Sequence, residues 1–201
     1  MRFISRTILD PALRLGLLSL ICLAAIFYIQ QTQQSRIENN QRQALEKTLK
    51  QVLPASIGSD INLERQKLAQ QDQEYYPILQ DAEVHGVILP VVSLRGYNGQ
   101  IHALVAINKR LQIIQMRIQS HRETPGLGNA IDIQRSNWIL QFNGKSLYTI
   151  GTNAWQLKKD GGQFDHISGA TISSRAVVDV ARSALQFVQS QKPQLFPMPA
   201  P

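Results

Sequence analysis

Val84-His85-Gly86-Val87-Ile88-Leu89-Pro90-Val91-Val92-Ser93-Leu94, Arg95-Gly96-Tyr97-Asn98-Gly99-Gln100 and Ile101-His102-Ala103-Leu104-Val105-Ala106-Ile107 follow one another in the middle of the chain. Two apolar runs, rich in the β-branched residues that suit a pleated surface, flank Asn98-Gly99, a strong hairpin turn signal. Pro90 lacks the N–H that a ladder needs, so the first run suits a strand with an edge or a bulge. Leu111 and Ile113, then Met116 and Ile118, alternate and extend the sheet in antiparallel fashion. Further short strands are expected at Trp138 to Phe142, Leu147 to Ile150 and Ala154 to Leu157.

Beyond the strands the apolar period changes. Ala176, Val177, Val180, Ala181, Ala184, Leu185 and Val188 recur at the spacing of a helix with one buried face. Upstream, Ile37, Ala44, Leu45, Thr48, Leu49 and Val52 predict a stalk helix over residues 35–54 that Pro54 terminates. Strands backed by these helices give an α+β domain over residues 55–190 with an antiparallel sheet, and residues 191–201 read as a disordered tail.

The N-terminal part is of another kind. Residues 15–29 carry no charge, and at 1.5 Å per residue they span roughly 22 Å. That falls short of the ~30 Å hydrocarbon core unless Leu13, a snorkelling Arg14 and the following glutamines extend it. A cleaved signal peptide would show small residues near Ile29 to Gln33, which are missing, although Ala24-Ala25 keeps that alternative open. A lipoprotein signal would want small residues before Cys22, where Ser19-Leu20-Ile21 stands. The preferred expectation is a single transmembrane helix with its exit segment over residues 15–34. Arg2, Arg6 and Arg14 against Asp10 make residues 1–14 a basic flank that stays cytoplasmic, so the domain faces the periplasm at an inner membrane.

Two loops carry candidate chemistry. Asp165-His166-Ile167-Ser168-Gly169-Ala170-Thr171 leads into the C-terminal helix, with Ser173 or Ser174 placed as an N-cap. Gly169 and Ala170 let backbone amides approach a ligand, the helix N-terminus favours an anion, and Ser168, Thr171, Ser173, Ser174 and Arg175 add donors that suit phosphate. An ordinary helix-capping loop is the competing explanation. The second loop, His121 to Gly128, places Pro125 and Gly126 at the central positions of a type II turn. It presents Glu123 and Leu127 from a fixed backbone.

Asp165-x-x-Ser168-Gly169-Ala170-Thr171 resembles the flavinylation motif of the FMN-binding domain family. His121-Arg122-Glu123-Thr124-Pro125-Gly126-Leu127-Gly128 is similar to the motif of the G subunits of Rnf-type electron transport complexes. Gly96-Tyr97-Asn98-Gly99 and the run from Trp155 to Asp165 match further. The resemblance covers nearly the whole chain and is weakest over residues 54–95. It implies FMN attached covalently to Thr171 through a phosphoester, made by a flavin transferase that recognises Asp165. It also implies a cofactor site of Ser168, Gly169, Ala170, Thr171, Ser173 and Ser174 with Glu123, Thr124, Gly126 and Leu127. Glu123 and Thr124 would hydrogen-bond the flavin and Leu127 would cover it, while Trp155 is better read as core and Lys158 and Lys159 as a solvated face.

The function so implied is electron relay within a membrane-bound complex that couples electron transfer to ion translocation, with other subunits and membrane lipid as partners. Alternatives are a C subunit of the related sodium-pumping quinone reductase, a stand-alone flavin reductase, or an anchored binding module without cofactor. The net charge of +7, from 21 basic and 14 acidic residues, does not point to nucleic acid, because the basic residues are scattered with few interleaved aromatics. Cys22 is the only cysteine, so this chain builds no intrachain disulfide and no cysteine-ligated metal site. His85, His102, His121 and His166 lack metal-ligand spacing, and no metal is expected.

Overall fold

The computed structural model describes residues 13–24, 26–27, 46, 49, 60–61, 66–68, 73–80 and 83–197. The chain divides into two units, Met1–Leu45 and Glu46–Pro201. In the first, residues 13–24 and 26–27 are helical and every described apolar side chain is exposed. Among the described residues, no helix is long and apolar enough to cross a membrane. Most of the expected anchor exit segment and stalk helix lies outside the described residues. Of the stalk, Glu46 and Leu49 are helical and Leu49 is fully buried.

The second unit is built on an antiparallel sheet. Its main strands are β3 (Glu74–Gln80), β4 (Glu83–Gly96), β5 (Gly99–Asn108) and β6 (Ile113–Ser120), in that spatial order. Two short strands, β1 (Asp60–Ile61) and β2 (Gln66–Lys67), both pair with β3. Val87, Leu89, Ile101, Ala103, Val105, Ile107 and Ile113 point to one face, into a core shared with helix α2 (Thr171–Ser190). Tyr76, Ile78, Ile88, Leu104 and Ala106, on the alternate positions, are buried as well. The sheet therefore carries apolar side chains on both faces, which is why β4 and β5 read as continuous apolar runs rather than alternating ones.

The expected hairpin forms, with its turn one residue earlier than the Asn-Gly signal suggests. Gly96 pairs with Gly99, so Tyr97 and Asn98 are the turn residues and the register shifts between Ser93 and Gly96. Pro90 lies two residues past the last β3–β4 pair, at Ile88, so its missing N–H costs no ladder bond there. Its carbonyl accepts from the Gln73 side chain at 3.0 Å. Leu111 is not part of a strand. It sits in the β5–β6 turn at φ 60°, where Asn108 Oδ1 accepts from the amides of Arg110 and Gln112.

Of the three short strands expected after residue 137, Trp138 to Phe142 and Leu147 to Ile150 are helical turns instead, and in Ala154 to Leu157 only Leu157 makes a β-bridge, parallel, to Phe164. Asn137–Phe142 and Thr152–Ala154 are 3-10 helices and α1 (Leu147–Ile150) is a single α-turn. Local capping decides this. Ser136 accepts from the Trp138 amide, and Ser146 and Thr149 form a reciprocal capping box. An apolar run of four residues has no period long enough to tell a turn of helix from a strand. These turns and the Leu157–Phe164 bridge deliver Phe142, Trp155 and Phe164 to a buried cluster, with the Phe164 ring centroid 4.8 Å from those of both Phe142 and Trp155. The tail expected from residue 191 begins as helix α3 (Lys192–Leu195), which buries Leu195 and Phe196. Residues 198–201 lie outside the described ones.

Phe142 touches the rings of Trp138, Trp155 and Phe164 and is fully buried. Phe142→Ala is expected to cost about 3–5 kcal/mol of unfolding free energy. Urea titration followed by tryptophan fluorescence measures it.

Candidate functional site

Helix α2 packs its apolar face chiefly on β4 and also on β5, which places its first residue, Thr171, in one pocket with Tyr97 of the β4–β5 turn. The residue before it, Ala170, is the N-cap and makes no side-chain capping bond. Neither Ser173 nor Ser174 is the cap. Both lie inside the first turn, buried, and point into the protein: Ser174 Oγ donates to the Ala170 carbonyl and accepts from the Ile167 amide. Because the Ser174 hydroxyl ties the incoming loop to the helix, the cap position itself is free to be the small Ala170.

Loop residues 124–128 face this helix start. Gly126 has φ 77°, and the Leu127 amide donates to the Thr124 carbonyl at 3.2 Å, the type II turn expected from Pro125-Gly126. The turn projects Leu127, 46% exposed, over Gly169. On the other side stands the β4–β5 turn, where the Asn98 side chain donates to Thr124 Oγ1 at 3.1 Å.

Together these three segments enclose a pocket of about 440 Å³ lined by Tyr97, Glu123, Thr124, Leu127, Gly128, Gly169, Ala170, Thr171, Ile172 and Ser173. Larger hollows exist, including a groove of about 810 Å³ between β4 and α2. Size does not single out the smaller pocket. The two sequence motifs, well separated in the chain, come together there.

Of the expected site residues, Glu123, Thr124, Leu127, Gly169, Ala170, Thr171 and Ser173 line the pocket. Gly126, Ser168 and Ser174 do not, and Gly128 takes the place expected of Gly126. Tyr97 and Ile172, 64% and 47% exposed, are walls that the sequence reading does not name. Each sits within or beside a matched motif, which is the signal that could have found it.

The electrostatics differ from the sequence expectation. Arg175 is not free for a phosphate, since its guanidinium forms two bonds with Asp160 at 2.7 and 2.8 Å. Lys158 pairs with Asp165 at 2.7 Å. Lys159, read from sequence as mere solvated surface, donates to Thr171 Oγ1 at 2.8 Å. The turn over Lys158–Asp160, closed by the Asp160 amide on Leu157 and the Gly162 amide on the same carbonyl, sends the two lysines to different partners. Adjacent lysines in a sequence carry no sign of that division.

Asp165 is held by its backbone as well. Its carbonyl accepts from Trp138 Nε1 at 2.7 Å and its amide donates to Gln141 Oε1 at 2.8 Å. Its side chain stays largely exposed. Trp155 is core, as expected, with its Nε1 buried and without a partner.

An exposed cation on the Thr171 hydroxyl, at the rim of a half-open pocket with apolar walls, suits a ligand with an anionic group at one end and a flat apolar ring at the other. FMN is such a ligand, and the residues present fit it.

Gly169 has φ 78°, and a Cβ there would stand 2.9 Å from Leu127 Cδ2. Gly169→Ala is expected to cost on the order of 1–2 kcal/mol through the left-handed backbone, and more through the contact. Chemical denaturation measures the loss. The hydrogen bond from Arg175, foremost, holds the Asp160 carboxyl below its usual range. Its stabilising contribution is therefore present above the ordinary aspartate range and is lost as pH falls through the lowered value, and Asp160→Asn is expected to flatten that limb of the stability–pH curve.

Residues 96–186 match the FMN-binding domain family and residues 1–52 match the RnfG N-terminal region family. The chain is 34% identical to the G subunit of the ion-translocating oxidoreductase complex of Shewanella loihica, over 97% of this chain and 96% of the relative. It is 34% identical to the protein of the same name from Pseudomonas aeruginosa, over 94% and 92% of the two chains. The Vibrio cholerae serotype O1 protein of that name is 32% identical over 89% of this chain and 88% of its own length. With both motifs on one pocket and this similarity end to end, the chain belongs to the family of G subunits of ion-translocating oxidoreductase complexes.

Proposed function

We propose that the protein is an electron-carrier subunit whose FMN is joined covalently to Thr171, working in a membrane-bound Rnf-type complex that couples electron transfer to ion translocation. The observation that carries this reading is the Thr171 hydroxyl, donated to by Lys159 at the rim of the pocket that both motifs build. The family match to an FMN-binding domain and the names of the relatives support it.

Attachment needs an exposed hydroxyl and compensation for the charge it acquires. Thr171 Oγ1 forms the new bond to the FMN phosphorus of a flavin dinucleotide, the pyrophosphate bond breaks, the nucleoside monophosphate leaves, and the hydroxyl proton passes to a base of the flavin transferase. Lys159 then faces the anionic phosphodiester, and the positive end of α2 lies beside it. Tyr97, Leu127 and Ile172 supply apolar walls that exclude water from one side of a ring. When bound, the flavin supplies one- and two-electron transfer, and this chain's part is to hold it at fixed distance and polarity. The clamped backbone and exposed carboxylate of Asp165 suit recognition by the transferase.

Residues 15–34 serve in this proposal as the anchor, with residues 1–14 cytoplasmic, 35–54 a stalk and 55–190 the periplasmic domain. Covalent attachment fits that placement, because a dissociable flavin would be lost from a compartment without a ready supply. The other subunits of the complex and membrane lipid are its partners.

The full chain produced with a flavin transferase is expected to gain the mass of one FMN less water on the peptide containing Thr171. Thr171→Val is expected to abolish that gain with the fold intact, and retention of acid-stable flavin in Thr171→Val refutes the assignment. Lys159→Met, which removes one charge-assisted bond, is expected to slow loading about tenfold. Mass spectrometry over a time course reads both.

A further inference from the structure

Glu123 lines the pocket, and both of its carboxylate oxygens accept hydrogen bonds from within the protein. The residue is 4% exposed. One carboxylate oxygen accepts from the Asn98 amide at 3.2 Å, and the other accepts a short hydrogen bond from the Ser173 hydroxyl. The Glu123 amide itself donates to His121 Nδ1 at 3.1 Å, so the residue is held at its backbone as well as its head group. Packing around it leaves no slack. A Cβ on Gly96 would meet Glu123 Oε1 at 2.7 Å, and one on Gly128 would meet Glu123 Oε2 at 2.9 Å.

The two donors belong to different walls of the pocket. Asn98 is in the β4–β5 turn beside Tyr97, and Ser173 is in the first turn of α2, two residues after Thr171. Ser173 is 1% exposed. A single carboxylate thereby bridges the two walls. Removing it would leave a part-buried amide and a buried hydroxyl without this partner, and both segments would move to regain one.

We infer that Glu123 is a positioning residue of the attachment site: its buried carboxylate ties the first turn of α2 to the β4–β5 turn, and through Ser173 it fixes where the Thr171 hydroxyl is presented. This rests on the reading of Thr171 as the flavin acceptor, and it moves Glu123 from the flavin's ligands to the scaffold behind them. A hydroxyl must meet phosphorus in line and at short range, so a displacement of Thr171 by an ångström lowers the rate far more than it lowers affinity for the transferase. The exposed Asp165 is untouched by the change, so recognition is preserved.

The test uses the full chain, purified without flavin and loaded in vitro by a flavin transferase with flavin dinucleotide and Mg²⁺. Intact mass follows the rate, and amide hydrogen exchange at Asn98 and residues 171–174 is measured on the unloaded protein. Glu123→Ala is expected to lower kcat for loading roughly ten- to a hundredfold with KM nearly unchanged, and to speed exchange at both segments. Ser173→Ala, which deletes a single hydroxyl, is expected to change both in the same direction. Because the two residues act through one bond, the double variant is expected to be no slower than Glu123→Ala.

Glu123→Gln keeps an acceptor for Asn98 and can donate to Ser173, so it is expected to load within about twofold of wild type, a rescue that tracks the hydrogen bonds. Wild-type loading and exchange in Glu123→Ala overturn the inference, as do losses that multiply in the double variant. If Glu123→Ala does not fold, Ser173→Ala and Glu123→Gln decide between the same outcomes. If the wild-type chain takes up no flavin, the attachment reading falls, and the latch stands or falls on whether exchange at Asn98 and residues 171–174 rises together in Ser173→Ala.

Discussion

Helix α2 buries Ala176, Val177, Val180, Ala181, Ala184, Leu185 and Val188 in the core that it shares with β4 and β5, and the position of every group in the pocket is referred to that contact. At about 1.5–3 kcal/mol for each large aliphatic side chain buried, the seat is too favourable for the helix to slide or rotate cheaply. Thr171 is its first residue, so wherever the apolar face docks, the hydroxyl follows. The hairpin supplies the other half. Because β4 and β5 are the middle strands of the sheet, their turn at Tyr97 and Asn98 is carried on the most constrained part of the domain.

The loop between residues 121 and 128 then has little freedom left. Its type II turn, its bond to Asn98 and the buried Glu123 lock it against both neighbours. This matters for an electron carrier, since tunnelling partners must be held at fixed separation, and a cofactor on a loose loop would not be. The charges are distributed to the same end. Arg175 and Lys158 are each paired with a carboxylate, which leaves Lys159 on the Thr171 hydroxyl. An anionic group there would meet one specific cation instead of a diffuse basic surface.

Much of this was legible in the chain. The Val- and Ile-rich runs around Asn98-Gly99 gave the central hairpin, and the 3.6-residue period from Ala176 gave the helix, because long apolar patterns report which face is buried regardless of neighbours. Short segments were not legible. Trp138 to Phe142 and Leu147 to Ile150 look like strands by composition, and only the hydroxyls of Ser136, Ser146 and Thr149, acting through capping geometry, turn them into helix.

By itself, then, the sequence determined the antiparallel core, the long C-terminal helix and the type II turn at Pro125-Gly126, since each depends on local chemistry or on a periodic pattern, whereas Thr171 stands out only through the motif resemblance. Tertiary structure alone decided how the polar side chains around the pocket are paired. Glu123 and Ser173 read from the sequence as hydrogen-bonding groups of the pocket, and the fold pairs them with each other, while Lys159, indistinguishable from Lys158 by composition, reaches Thr171. The physical reason is that a buried polar group takes the partner that the fold brings within hydrogen-bonding distance, and that partner is set by segments tens of residues away.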